Sequence, residues 1–176
     1  MTQHVRTGHE FTTSYLEDSL SVFRQYKKLG ERAMEQVTDD QLFMALDGEM
    51  NSIAIVVKHI VGNMRSRWTD FLTTDGEKPD RNRDSEFETP PDSRAALMKM
   101  WEEGWDLVFQ ALGPLSDQDL GRTVTIRSQP HSVMQAIQRQ VAHYAYHCGQ
   151  IVMLAKHFAS SKWSSLTIPK ARKSTN

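Results

Sequence analysis

Residues 132–158 read SVMQAIQRQVAHYAYHCGQIVMLAKHF. Ser132 and Gln135 form a capping box, in which each side chain answers a backbone N–H that the first helical turn leaves without a partner. Behind it, Ile137, Val141, Tyr144, Cys148, Ile151, Ala155 and Phe158 recur at spacings of three and four, the stripe of a core-facing helix. The stretch also carries His143 and His147 at i and i+4. That spacing puts both imidazoles on one helix face, about 6 Å apart along the axis. From there they can converge on one metal ion at about 2.0–2.1 Å. The pair alone is a weak signal, because seven histidines scattered over 176 residues produce one roughly one time in four. Tyr144 also stands where a zincin would carry Glu.

Three further segments have helical periodicity. The first, from about residue 9 to 37, places Phe11, Tyr15, Val22, Tyr26, Leu29, Ala33 and Val37 on one stripe, widened by Leu16, Leu20, Phe23 and Met34. The second begins after Asn51 or Ser52 as cap and runs through Ile53, Val56, Val57, Ile60, Val61, Met64, Trp68 and Phe71. Its β-branched start suits a strand, but its length and later spacing predict helix. The third follows Pro90-Pro91, is capped by Asp92 or Ser93, carries Leu97, Met98, Trp101, Trp105, Val108, Phe109 and Leu112, and stops at Gly113-Pro114. Four long amphipathic helices in a chain this short predict an all-α, four-helix bundle in one domain, with its core over about 9–160.

Composition narrows the function. Lys and Arg (21) nearly balance Asp and Glu (22), leaving a net charge of −1, so no basic face for nucleic acid is expected. The longest strictly apolar run, Ile53 to Val57, falls far short of the roughly 20 residues that span a bilayer. The N-terminal MTQHVRTGHE has no apolar signal core. Cys148 is the single cysteine, which precludes an internal disulfide and fits a cytoplasmic protein. It reads as a small core residue, turned about 100° from His147 around the helix.

The connections say less. Residues 74–91, TDGEKPDRNRDSEFETPP, hold six acids and three bases and read as a solvated crossover between the second and third helices. A loop of that length is otherwise functional or mobile. Thr123-Val124-Thr125-Ile126 reads as an extended strap or half of a small hairpin. Thr38-Asp39-Asp40-Gln41-Leu42 and Ser116-Asp117-Gln118-Asp119-Leu120 echo one another, each leading toward a Ser-capped helix with histidine. The basic tail over 169–176 reads as disordered, with no role for Lys170, Arg172 or Lys173.

His59 is the best third ligand. It sits in the most apolar helix beside the buried stripe, and it faces His143 and His147 if the second and last helices are neighbours. Three imidazoles with open positions suit catalysis, whereas structural zinc sites close with four protein ligands. The plain alternative is a hydrogen-bonded histidine at the core edge. His4 and His9 lie near the N-terminus, His131 at a helix entrance and His157 in a last turn, where a cationic ring favours the helix dipole. Asp47 and Glu49 precede the second helix without a defined direction, Tyr144 and Tyr146 read as packing residues, and Arg67 reads as solvated or as an anion anchor.

A histidine on the second helix after a Ser cap, with His143-xxx-His147-x-Gly149-Gln150-Ile151 on the last, resembles the DinB/YfiT-like metalloenzyme family. Asn51-Ser52-Ile53 through His59-Ile60-Val61-Gly62-Asn63-Met64, with Arg67-Trp68-Thr69-Asp70-Phe71-Leu72 and Thr74-Asp75-Gly76-Glu77-Lys78, is similar to one subfamily of DinB-like bacterial proteins. The resemblance covers roughly residues 10–160. It implies a four-helix bundle with a zinc or nickel ion on His59, His143 and His147, with Gln150 and Asn63 beside them, and a homodimer. Members of that family include bacillithiol- or mycothiol-dependent transferases and a thiol-dependent isomerase; its name comes from DNA-damage induction and implies no DNA binding.

The reading that follows is a divalent-metal-dependent enzyme, a thiol-dependent S-transferase or a hydrolase. The ion would lower the pKa of water or of a low-molecular-weight thiol, which then attacks a small-molecule electrophile. Two alternatives stay open: a non-enzymatic metal- or small-molecule-binding stress-response bundle, and a bundle whose Met98, Met100, Trp101 and Trp105 serve dimerisation, although their spacing makes them core by default.

Overall fold

The computed structural model describes residues 13–169. Every α-helix in it starts at a hydroxyl. Ser14, Thr38, Ser52, Ser93 and Ser132 stand in extended backbone, and each accepts a hydrogen bond from the amide three residues on. They open α1 (Tyr15–Met34), α2 (Asp39–Phe43), α3 (Ile53–Trp68), α4 (Arg94–Leu112) and α5 (Val133–Ala159). The four long helices form the bundle. α1 packs on α5, α3 lies between α4 and α5, and α2 caps the α3–α5 end.

The helix bounds differ from expectation in instructive ways. α1 begins at Tyr15 rather than near residue 9, because Ser14 takes the capping position; Phe11 lies outside the described residues. It ends at Met34, yet Val37 beyond it is still buried. The buried centre of α1 is Leu16, Leu20, Phe23, Gly30, Ala33 and Met34, so the stripe through Tyr15, Val22 and Tyr26 lies at its flank. Gly30 moves that centre: it lacks a side chain to mark it as apolar, but the Trp101 ring packs directly on its backbone. α3 stops at Trp68, where Asp70 turns the chain with φ 48°, and Phe71 folds back with its ring 4.8 Å from that of Trp68.

Both connections around the α3–α4 pair are ordered. The crossover 69–93 contains a 3-10 turn at Asp84–Phe87 that packs on α3. Ser66 on α3 donates to the Gly76 carbonyl at 2.9 Å and accepts from the Lys78 amide at 3.0 Å, while Lys58 donates to the Thr89 carbonyl at 2.9 Å. The crossover is therefore a layer of the structure and not only a solvated link. Between α4 and α5, Thr123–Ile126 (β1) pairs antiparallel with Gln129–Ser132 (β2), resolving the strap as a hairpin. Its two-residue turn, Arg127-Ser128, has positive φ at both positions, as the strand twist requires. Asp75 holds this turn by accepting both amides, at 2.9 and 2.7 Å. The echoed segments share real geometry as well: each forms a capping box, and each buries its leucine, Leu42 or Leu120.

The core centres on aromatic rings. Phe23 meets Trp68, Trp105 and Tyr144 at centroid distances of 5.7 to 6.2 Å. Trp68 Nε1 donates to the Tyr144 hydroxyl at 2.8 Å, which donates in turn to Asn63 Oδ1 at 3.2 Å. Trp101 and Trp105 are fully buried, and Met98 and Met100 pack against the same core. The tryptophans therefore contribute nothing to an outer dimerisation surface. No helix among the described residues is long and apolar enough to cross a membrane.

Gly30→Ala tests the close α1–α4 approach. A Cβ at Gly30 would meet the Trp101 ring at 2.8 and 2.9 Å. Overpacking costs about 1–3 kcal/mol and the gain in helix propensity returns about 1 kcal/mol. Calorimetry should show the midpoint lowered by a few degrees; an unchanged midpoint would mean that the Trp101 ring can yield.

Candidate metal centre

α3 aims His59 at the inner face of α5, where His143 and His147 occupy successive turns. One ligand atom from each of the three lies within 4.8 Å of the others. Their ring centroids stand 4.7 to 5.5 Å apart. His59 and His147 are buried and His143 is half-buried.

The ring nitrogens show which lone pairs are available. His59 Nδ1 donates to Glu86 Oε2 at 2.8 Å. Glu86 is itself gripped by Arg81, with Nε on Oε1 at 2.8 Å and Nη2 on Oε2 at 3.0 Å. Burial opposes ionisation of this carboxyl, but His59 and Arg81 together hold it below its ordinary range. His147 Nδ1 donates to Gln150 Oε1 at 2.7 Å, which leaves Nε2 as the acceptor, and that atom is buried with no partner. His143 Nδ1 is also buried with no partner. Burial, reinforced by the His147 and His59 rings and then by Arg67 and Arg81, pushes His143 down to about 3; burial pushes His147 down to about 4. Both rings are therefore neutral at neutral pH, so each keeps one ring nitrogen with a lone pair. Buried polar atoms without partners are uncommon, and a divalent cation satisfies such a set of imidazoles. An outer carboxylate or amide that fixes the tautomer, as Glu86 and Gln150 do, is the usual companion of a metal-binding histidine.

A cavity of about 320 Å³ opens beside the cluster, lined by His59, Asn63, Arg67, Gln140, His143 and Tyr146 among others. A larger one, about 780 Å³, lies between α3, α4 and the crossover and contains none of the three histidines. The smaller cavity is the one adjacent to the available lone pairs. Phe87 stacks on His59 at 4.6 Å, and the Tyr146 ring lies 4.2 Å from His147.

Several residues read from the sequence fall where expected. Gln150 contacts His147, Asn63 lines the cavity and accepts from Tyr144, and Tyr144 is wholly buried in packing. Cys148 is buried, and burial pushes its thiol up to about 12, so it supplies no thiolate. His131 bonds the Gln129 carbonyl, and His157 occupies the last turn of α5. His4, His9 and the tail residues Lys170, Arg172 and Lys173 lie outside the described residues. Asp47 and Glu49 are exposed, Asp47 caps the amides of Glu49 and Met50, and neither lines the cavity. Arg67 requires correction: it is only 5% exposed, because the crossover covers the α3 face that would otherwise meet water. Nothing in the sequence marks Glu86 or Arg81 individually; the signal for their segment is Phe87, the one aromatic residue of 74–91, which docks the loop on His59.

Helix order and crossover make a four-helix bundle with three histidines on its inner face. The chain belongs to a family described as protein of unknown function (DUF1572), whose family model matches residues 10–172. No curated protein matches it. Among solved structures, a DinB-like protein from Bacillus cereus is 17% identical with a TM-score of 0.57, over 89% of this chain and 97% of that one. YfiT from Bacillus subtilis, described as "a probable metal-dependent hydrolase with an unusual four-helix bundle topology", is 19% identical with a TM-score of 0.59, over 89% and 93%. At these identities the likeness concerns the fold.

The depressed histidines make acid stability a probe of the metal-free protein. In the unfolded chain these imidazoles take up protons near 6.5, whereas in the fold they do so near 3 and 4. Between those limits the unfolded state binds more protons, so stability falls as pH falls below about 6.5. The loss between about pH 6.5 and 5 is expected to be about 1 kcal/mol per histidine, allowing for water at the ring edges. Urea titrations across that range should show a shallower slope for His143→Ala, and an equal slope would contradict neutral burial.

Proposed function

We propose that this protein is a divalent-metal-dependent enzyme whose ion, zinc or nickel, is held by His59, His143 and His147. The observation that carries the reading is that His59, His143 and His147 each bring a ring nitrogen within 4.8 Å of the others, with His143 Nδ1 and His147 Nε2 buried and unpartnered. Three protein ligands leave positions open beside a cavity, as catalytic sites do and closed structural sites do not. When bound, the ion supplies Lewis-acid chemistry that makes water or a thiol nucleophilic at neutral pH. Glu86 keeps the proton of His59 on Nδ1, and Arg81 keeps Glu86 ionised and in place. Gln150 does the same for His147 without a charge. Because Cys148 is sealed in the core, a thiol reaction takes its thiol from a small cosubstrate, so the activity is hydrolysis or transfer of such a thiol to an electrophile. A homodimer, the assembly that the family resemblance implies, belongs to the same proposal, and sedimentation of the purified chain decides it.

Untagged protein prepared without chelator is expected to hold stoichiometric metal or to gain it on titration with zinc or nickel. His59→Ala and His147→Ala should abolish that binding. Gln150→Ala, on an exposed residue, should weaken it by about tenfold. Retained affinity in the histidine variants would overturn the ligand assignment. Full metal binding without turnover over panels of esters, amides and thiol-plus-electrophile pairs would make the protein a metal-binding bundle instead.

A further inference from the structure

The cavity beside the histidines carries a charge that metal binding does not use. Five guanidinium groups line it, from Arg67, Arg81, Arg83, Arg127 and Arg139, and no carboxylate does. Arg67 is the informative one. It is 95% buried against 5% exposed, and its Nε and Nη1 have no hydrogen-bond partner. Its ion pair is with Glu77, at 3.5 Å. That carboxylate is shared, since Glu77 also pairs with Arg81 at 3.1 Å and Arg127 at 3.0 Å. Glu86 is occupied by Arg81 and His59, and the Asp75 oxygens accept the backbone amides of Glu77, Arg127 and Ser128. Arg83 and Arg139 have no ion pair among the described residues, and the Arg83 guanidinium lies 5.3 Å over the Phe87 ring. Positive charge therefore exceeds negative charge around the buried donors of Arg67, beside which the proposed metal adds more.

A buried guanidinium with free donors is matched in shape and charge by a planar or tetrahedral oxyanion, which can accept two parallel hydrogen bonds. The cavity volume, about 320 Å³, suits a small molecule and not a polymer. We propose that this cavity is an anion subsite: the substrate is a small molecule bearing a carboxylate or phosphate, held by Arg67 with Arg139 and Arg83 at the mouth. Naming that molecule the substrate rests on the metal-enzyme reading, but the binding of the anion does not. The converging field also draws such anions in from solution at low ionic strength.

Calorimetric titration of inorganic phosphate, succinate and neutral succinamide tests this, on metal-free and zinc-loaded protein at fixed ionic strength. One oxyanion is expected to bind one-to-one and succinamide not to bind; preference for phosphate or succinate assigns the class. Arg67→Met should weaken the anion by about tenfold or more. Arg139→Gln and Arg83→Gln, on exposed residues, should weaken it a few-fold and most at low salt, which keeps the test valid if Arg67→Met does not fold. The inference is overturned if neither anion binds, or if affinity is the same in all three variants, including the case of an anion resting on the metal alone. Metal content measured on the same samples separates the two readings. Metal uptake without anion binding removes only the subsite, and arginine-dependent anion binding without metal uptake removes only the metal centre.

Discussion

Glu86 sits where the crossover, the bundle and the histidine cluster meet. Its carboxylate takes two hydrogen bonds from Arg81 and one from His59, so a single group joins a loop of alternating charge to the most apolar helix of the fold. The contact is possible because Gly62, one turn along α3 from His59, has no side chain; a Cβ there would meet Glu86 Cδ at 2.6 Å. Removing one member of such a buried, charge-assisted set leaves the others without compensation, which is why the three groups act as a unit. The loop is held down by that unit and by Ser66, and the covering loop is what places Arg67 away from water.

α3 explains the mixture of apolar and reactive character in the site. It is covered by α4 and α5 on two sides and by the crossover on a third, so its His59, Asn63, Ser66 and Arg67 are all buried. Polar groups in such a place need partners. Ser66 finds them in the loop and Asn63 in Tyr144. His59 finds one for a single nitrogen only, and Arg67 finds just a shared carboxylate. Both residues line the same cavity, so a helix otherwise built for packing puts polar groups along its wall.

The sequence discloses what depends on periodicity and on caps. Ser52, Ser93 and Ser132 mark helix starts, and the i, i+4 pair of His143 and His147 needs only helix geometry to be read. His59 was within reach because its helix is long and strongly apolar. Residue-type preference places Arg67 in water, and nothing within α3 says that a distant loop will cover it. Glu86 is hidden for a related reason. Its partner is 27 residues away in sequence, and six acids in one loop look alike until Phe87 singles out the segment that docks. Capping and helical stripes are local patterns; pairing between a loop and a helix is not.

The hairpin turn carries a consequence for how the molecule assembles. Asp75 grips the amides of Arg127 and Ser128, and Gly76 donates to the Thr125 carbonyl at 2.8 Å, so two connections about fifty residues apart in sequence are stitched into one rim. Closing so long a loop is entropically unfavourable until native contacts reward it. The bundle can therefore collapse and pair its helices first, with the arginine-lined wall completed afterwards. Local opening of that rim is a different event from unfolding of the core on which it rests.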